Sequence, residues 1–212
     1  MPPRPTTWPA IAADLARHIT GRTPADDARH VRVAVDGAAV AKPKDLAESV
    51  ATALRPLGRE AVVVSADGFL KPASLRFEHG KRDADAFLDH WLDSGAMFRE
   101  VFDPLEAKGS GRILPDLWDT AKDRATRSPY VELAPGTVVI VVGEFLLDRW
   151  FPFDLTVHIH LSAGALRRRG QEEWTLPAFA RYDDEVDPMA NADVTVRADH
   201  ADRPAWSGIP KP

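Results

Sequence analysis

The chain has 212 residues, 44% of them hydrophobic and 28% charged, enough to bury a sizeable core in one domain without a metal or disulfide staple. The absence of cysteine excludes a disulfide framework, a thiolate zinc site and a cysteine nucleophile. The net charge is −5, and the densest basic run is Arg167-Arg168-Arg169, so nothing here suits a nucleic-acid backbone.

No apolar run approaches the roughly 20 residues that span a bilayer, and the opening "MPPRPTTWPA" has no apolar core of signal-peptide length. The expectation is a soluble, cytoplasmic protein with neither nucleic acid nor membrane as partner. A homo-oligomer stays open. A single domain over 1–212 is expected.

In chain order, Trp8, Ile11, Ala12, Leu15 and Ile19 fall at helical spacing, which predicts a helix over 8–19. "TGRTPADD" (20–27) reads as a polar connection. "VRVAVD" (31–36) reads as a buried strand. A helix is expected over 45–57, with Asp45 as N-cap and Gly58 just past its end. Further apolar strands are expected near 61–66, 138–143, 155–161 and 192–197. Continuous apolar strands separated by helices predict a parallel sheet covered on both faces.

The middle, about 68–136, is less regular. "DADAFLDHWLDSGAMFREVFDPL" reads as helix with a break at Ser94-Gly95. "GSGRILPDLWDT" reads as a hairpin or flap. Residues of about 162–187 read as helix, glycine turn and helix, the place for a mobile lid.

Ligands of such sheets bind outside the carboxyl ends of the strands, so the residues after each strand carry the chemistry. The first strand runs into Gly37, an Ala-rich stretch and a helix, the outline of a phosphate-binding loop. In GxxxxGK[ST] the glycines let backbone N–H groups converge, the lysine neutralises phosphate and the hydroxyl ligates Mg²⁺. Here Lys42, Pro43 and Lys44 occupy the last three positions. Losing one charge-stabilising donor costs roughly 3–4 kcal/mol in a transition state. Lys42 or Lys44 could return the cation. The bland alternative is a strand–turn–helix with solvated lysines.

Asp67, after the second strand, stands where a base would meet a substrate hydroxyl, or else caps a turn before Gly68. After the third strand, Val142 occupies a natural position for a magnesium-supporting acid. Glu144, two residues on, could serve as metal support or simply start a helix. Arg167, Arg168 and Arg169 suit phosphate recognition or a solvated helix face. His158 and His160 alternate on a strand and read as packed histidines rather than ligands. Arg76, His79 and Trp118 could line a substrate pocket or pack the flap.

In series, these pieces resemble the uridine kinase-like branch of the P-loop kinases, bacterial members in particular, over about residues 10–205. "VRVAVDGAAVAKPKDLAESVATAL" is similar to the strand, Walker A loop and first helix. "VSADGFLKP" is similar to the S-x-D-x-F segment, with Asp67 on the catalytic acid. "RFEHG", "FDPL" and "LWDTAKDR" follow in the family's order. "VVIVVGEFLL" resembles the Walker B strand. "HLSAGALRRR", "FARYDDEVDP" and "ADVTVRADHADRP" resemble the lid, the following helix and the closing strand.

The resemblance implies a three-layer α/β fold of P-loop NTPase type, with a five-stranded parallel sheet, a flap and a helical lid. It also implies ATP and Mg²⁺ as cofactors and transfer to a nucleoside-like small hydroxyl compound. Both Walker motifs depart from the pattern, at Lys42-Pro43-Lys44 and at Val142. Three functions follow: a phosphotransferase with an improvised loop, a pseudokinase acting by occupancy, or an enzyme using the old substrate pocket for another reaction. In the first, Lys42 or Lys44 supplies the cation, Glu144 the metal support and Asp67 the base. In the second, the chain binds a nucleoside, nucleotide or partner protein.

Overall fold

The computed structural model describes residues 4–23 and 29–208, so part of the connection expected at 20–27 lies outside the described residues. A two-residue strand β1 (Arg4–Pro5) leads into helix α1 (Trp8–Thr20). Strand β2 (Val31–Gly37), helix α2 (Pro43–Leu54) and strand β3 (Ala61–Ser65) follow. The middle holds short helices α3 (Ala73–Arg76), α4 (Ala84–Asp89) and α5 (Ser94–Met97), and two-residue strands β4 (Arg112–Ile113), β5 (Trp118–Asp119), β6 (Arg124–Ala125) and β7 (Val131–Glu132). Then come β8 (Val138–Gly143), β9 (Leu155–His160), α6 (Ala163–Arg168), α7 (Leu176–Val186), α8 (Pro188–Asn191), β10 (Val194–Arg197) and β11 (Ala205–Ser207).

Five strands pair in parallel, in the spatial order β10-β9-β2-β8-β3. This is the expected five-stranded core. It is longer than expected at one edge, where β11 and then β1 add antiparallel. Every residue of β2 and of β8 is buried, because helices cover both faces. Val31, Val33 and Val35 pack with α1 and α2 on one face. Ala34, Val139 and Val141 pack with α4, α5 and α7 on the other. From β2 the chain moves to β3 on one side, returns to fill the gap with β8, and then crosses to β9 on the opposite side. The carboxyl end of β2 is therefore the switch point at which a crevice opens.

Two expectations need correction. Helix α2 starts at Pro43, not Asp45, because proline's fixed φ suits the first helical turn; Asp45 sits inside that turn and is not its cap. The 55–57 segment continues as a 3-10 turn that ends at Gly58 in the left-handed region. The helical break in the middle falls at residues 90–93 rather than at Ser94-Gly95: the Asp93 carboxylate accepts from the Ala96 N–H and starts a new helix.

At the opposite, amino-terminal end of the sheet, Arg32 and Asp154 form a buried two-pronged ion pair, with contacts of 2.9 and 3.0 Å. Asp154 also accepts from the Arg32 backbone N–H at 2.7 Å, which ties β2 to the start of β9. Removing one partner of such a pair strands the other charge in the core. Asp154→Ala is expected to lower the unfolding free energy by about 3–5 kcal/mol, read from urea titration of the wild-type and variant chains.

Candidate functional site

The turn after β2 begins at Gly37, where the backbone passes β9 so closely that a Cβ would lie 2.9 Å from the Ile159 carbonyl oxygen. Residues Ala39–Ala41 then wind into a 3-10 turn, and Lys42 takes a left-handed conformation (φ 58°) at the position where the loop pattern has its second glycine. The turn uses several of its own donors. Ala41 N–H donates to Ala38 O at 2.8 Å, Lys42 N–H to Ala39 O at 2.9 Å and Asp45 N–H to Lys42 O at 3.1 Å. Pro43 has no N–H to offer. The Ala39 N–H donates to Glu144 Oε1 at 2.7 Å, so a carboxylate already occupies a donor that an incoming anion would need.

A cleft of about 340 Å³ opens beside this turn, lined by Lys42, Lys44, Ser65, Asp67 and Glu144 among others. The expected residues Gly37, Lys42, Lys44, Asp67 and Glu144 thus meet at one edge of the sheet. Asp67 stands in the 3-10 turn after β3. Its pKa is raised by desolvation, with the Ser65 hydroxyl and the Lys44 charge pulling the other way. Glu144 is pushed up to about 7, first by desolvation and then by the nearby charges of Asp67 and Asp36; the bond from Ala39 opposes this. The Lys44 ammonium is mostly exposed and makes a long 3.9 Å ion pair with Glu48.

The flap covers the Asp67 turn. Leu117 N–H donates to Gly68 O at 2.8 Å, and a Cβ on Gly68 would lie 2.6 Å from Asp116 Cβ, so only glycine admits this approach. Asp123 accepts from Trp118 Nε1 at 3.0 Å and from the Ala73 N–H at 2.8 Å, which fastens the flap to α3.

The remaining expected residues are placed elsewhere. Arg76 is buried, its Nε donating to Lys71 O at 2.7 Å and its guanidinium lying 4.9 and 5.1 Å from the rings of Phe77 and Trp91. His79 is exposed, 6.0 Å ring to ring from His90. Neither these two nor Trp118 lines the cleft at Asp67. Arg168 is exposed. Arg169 reaches the loop, but it donates to the Val40 carbonyl (3.4 Å) and the Ala198 carbonyl, fastening the segment after α6 to the sheet. The lid is packed down: Arg181 of α7 pairs with Asp85 and Asp89 of α4, and Phe87, Phe145, Trp174 and Phe179 interlock beneath it.

One residue the sequence reading passed over is central. Asp36 is fully buried; its Oδ1 accepts from the Leu146 N–H at 2.8 Å, and its Oδ2 lies 2.6 Å from His158 Nδ1 and accepts from Tyr182 O–H at 3.2 Å. An acid closing a strand otherwise buried on both faces was the available signal.

The donor set does not fit a triphosphate with its Mg²⁺. The Ala39, Ala41 and Lys42 N–H groups are already engaged, the lysine and hydroxyl positions carry Pro43 and Lys44, and the Val142 side chain offers no oxygen. Asp67 and Glu144 could give Mg²⁺ two carboxylates, but the remaining ligands would be waters and the phosphates that this loop is not built to grip.

No protein-family model and no curated protein matches the sequence. Solved structures match closely in shape. A protein described as a possible uridine kinase from Bacillus stearothermophilus superposes with a TM-score of 0.70 at 20% identity, covering 88% of this chain and 97% of its own. The fold is that of the uridine kinase-like P-loop kinases. A protein assigned as a fructose transport system kinase from Silicibacter sp. TM1040 matches this kinase fold at TM-score 0.60 and 24% identity, covering 93% of this chain and 96% of its own. The YGR205w protein matches at 0.66 and 11%, covering 97% and 100%.

Within this kinase fold, Glu144 has a measurable signature. An acid with a folded pKa above its unfolded one binds its proton more tightly when folded. Its contribution is full below the unfolded value of 4.5 and is lost as pH rises through about 7. Glu144→Gln keeps an acceptor for the Ala39 N–H and removes the titration. Urea titrations between about pH 5 and about pH 8 are expected to show the wild-type chain losing roughly 1–3 kcal/mol relative to the variant.

Proposed function

We propose that the chain is a kinase-fold binding protein for a nucleoside or similar polyhydroxyl compound, without ordinary ATP-dependent phosphoryl transfer. The observation that carries this reading is the Ala39 N–H donating to Glu144, in a loop where Ala41 and Lys42 donate to the turn itself and Pro43 has no N–H. A phosphate there would displace a carboxylate from the Ala39 N–H, and Pro43 stands where a lysine would offset its charge. The substrate side is better preserved: Asp67 faces an open cleft beside Ser65, under a seated flap. A carboxylate in that position orients a ribose or sugar hydroxyl whether or not a phosphoryl group follows. The two neighbours described as a uridine kinase and a fructose transport system kinase support a hydroxylated carbohydrate as the common element of the ligand.

A second reading, a working phosphotransferase, is favoured by one contact. The Lys44 charge acts on Asp67 across the same cleft, so a cation is within electrostatic reach of the hydroxyl-binding acid.

A thermal-shift panel separates the two. Uridine, other nucleosides and fructose are tested with and without Mg²⁺, and ATP alongside them. The expected outcome is stabilisation by at least one hydroxyl compound and no Mg²⁺-dependent shift at micromolar ATP. Ligand at a hundred times its dissociation constant stabilises by about 2.7 kcal/mol, so genuine binding is visible. Asp67→Asn keeps the shape and is expected to weaken that compound by the roughly 1.5–3 kcal/mol of a charged hydrogen bond. Turnover of Mg-ATP that disappears in Lys44→Ala would establish the phosphotransferase instead.

A further inference from the structure

On the far side of Gly37 from the cleft, β9 and α7 enclose a second, smaller space of about 20 Å³, enough for one water or one ion. His158 and His160 lie two apart on β9 and so share a face of the sheet, and Asp183 comes down from α7 above them. One ligand atom from each of the three lies within 4.8 Å of those of the other two.

His158 is 95% buried, and its two ring nitrogens have different fates. Nδ1 is held by Asp36 Oδ2 at 2.6 Å, and Asp36 is itself fixed by Leu146 N–H and Tyr182 O–H. Nε2 is buried without any hydrogen-bond partner. A protein does not ordinarily leave an imidazole nitrogen so placed unsatisfied. A carboxylate on one ring nitrogen with the other free is the arrangement that fixes a metal-binding histidine in its ligating tautomer and strengthens it as a donor. His160 is partly buried beside it, on the same face of the strand.

We propose that His158 Nε2, His160 and Asp183 form a divalent transition-metal site that fastens α7 to the end of β9. Two imidazoles and one carboxylate are a borderline-soft nitrogen and oxygen set of the kind zinc takes, with a fourth position left for water. The site shares no ligand residue with the cleft at Asp67. Its work is architectural: α7 and α6 flank the loop after β2, and a metal held between α7 and β9 restrains them.

The test is a calorimetric titration of the EDTA-treated, dialysed full-length chain with Zn²⁺, with bound metal counted by atomic emission. One ion per chain is expected, with a rise in melting temperature. His160→Ala and Asp183→Asn alter residues at the open side of the site, so the fold survives, as circular dichroism would check. Each is expected to weaken Zn²⁺ by roughly tenfold or more. A His79→Ala/His90→Ala double variant removes the other neighbouring histidine pair and is expected to leave the titration unchanged. Absence of stoichiometric binding overturns the proposal. So does binding that persists at full strength in either His160→Ala or Asp183→Asn, or that is lost with His79 and His90.

Discussion

The Asp36 carboxylate is the constraint on which the upper half of the molecule depends. It is wholly buried at the end of the central strand, yet it draws in three donors from three directions: the backbone after β8, a histidine on β9 and a tyrosine on α7. A buried charge is tolerated only when its lone pairs are filled, so each partner is held where it stands. The strand register contributes directly, because Asp36 lies opposite His158 on one neighbour and opposite Gly143 on the other. The consequence is a rigid rim around the switch point. Tyr182 carries the effect onward, accepting from the Leu147 N–H at 3.1 Å and so binding the helix to the loop after β8.

The fold was legible because its signal is redundant. "VVIVV" holds no residue that suits water and "VRVAV" only Arg32, so both lack the alternation of a half-exposed strand and point to a doubly covered parallel sheet. The edge strands were not legible. Arg4–Pro5 and Ala205–Ser207 are too short to carry a period, and they exist because β10 leaves an open edge for them. The start of α2 was misplaced because Asp45 resembles a cap, whereas the local geometry is set by Pro43 and a left-handed Lys42.

The site divides in the same way. Position along the strands was enough to bring Asp67, Glu144, Lys42 and Lys44 to one cleft. Side-chain partners were beyond reach of the sequence. Arg169 was readable as a cation near the loop, but not that backbone carbonyls of Val40 and Ala198 would hold it. Arg76 was readable as part of a pocket, but not that it would be buried between Phe77 and Trp91. The two histidines of β9 were read as packing rather than as ligands, and His158 is indeed buried. What the sequence could not give is the orientation that leaves one of its nitrogens bare, because that depends on an aspartate 122 residues earlier.

Gly37 borders both chambers, the cleft on one side and the small space under α7 on the other. It is the residue that lines both, and it is pressed against the Ile159 carbonyl with no room for a side chain. Such a contact has no slack. A ligand that widened either chamber at Gly37 would have to move this backbone against Ile159, the residue between the two histidines. The two compartments therefore share one moving part, and occupancy of either is written into the dimensions of its neighbour.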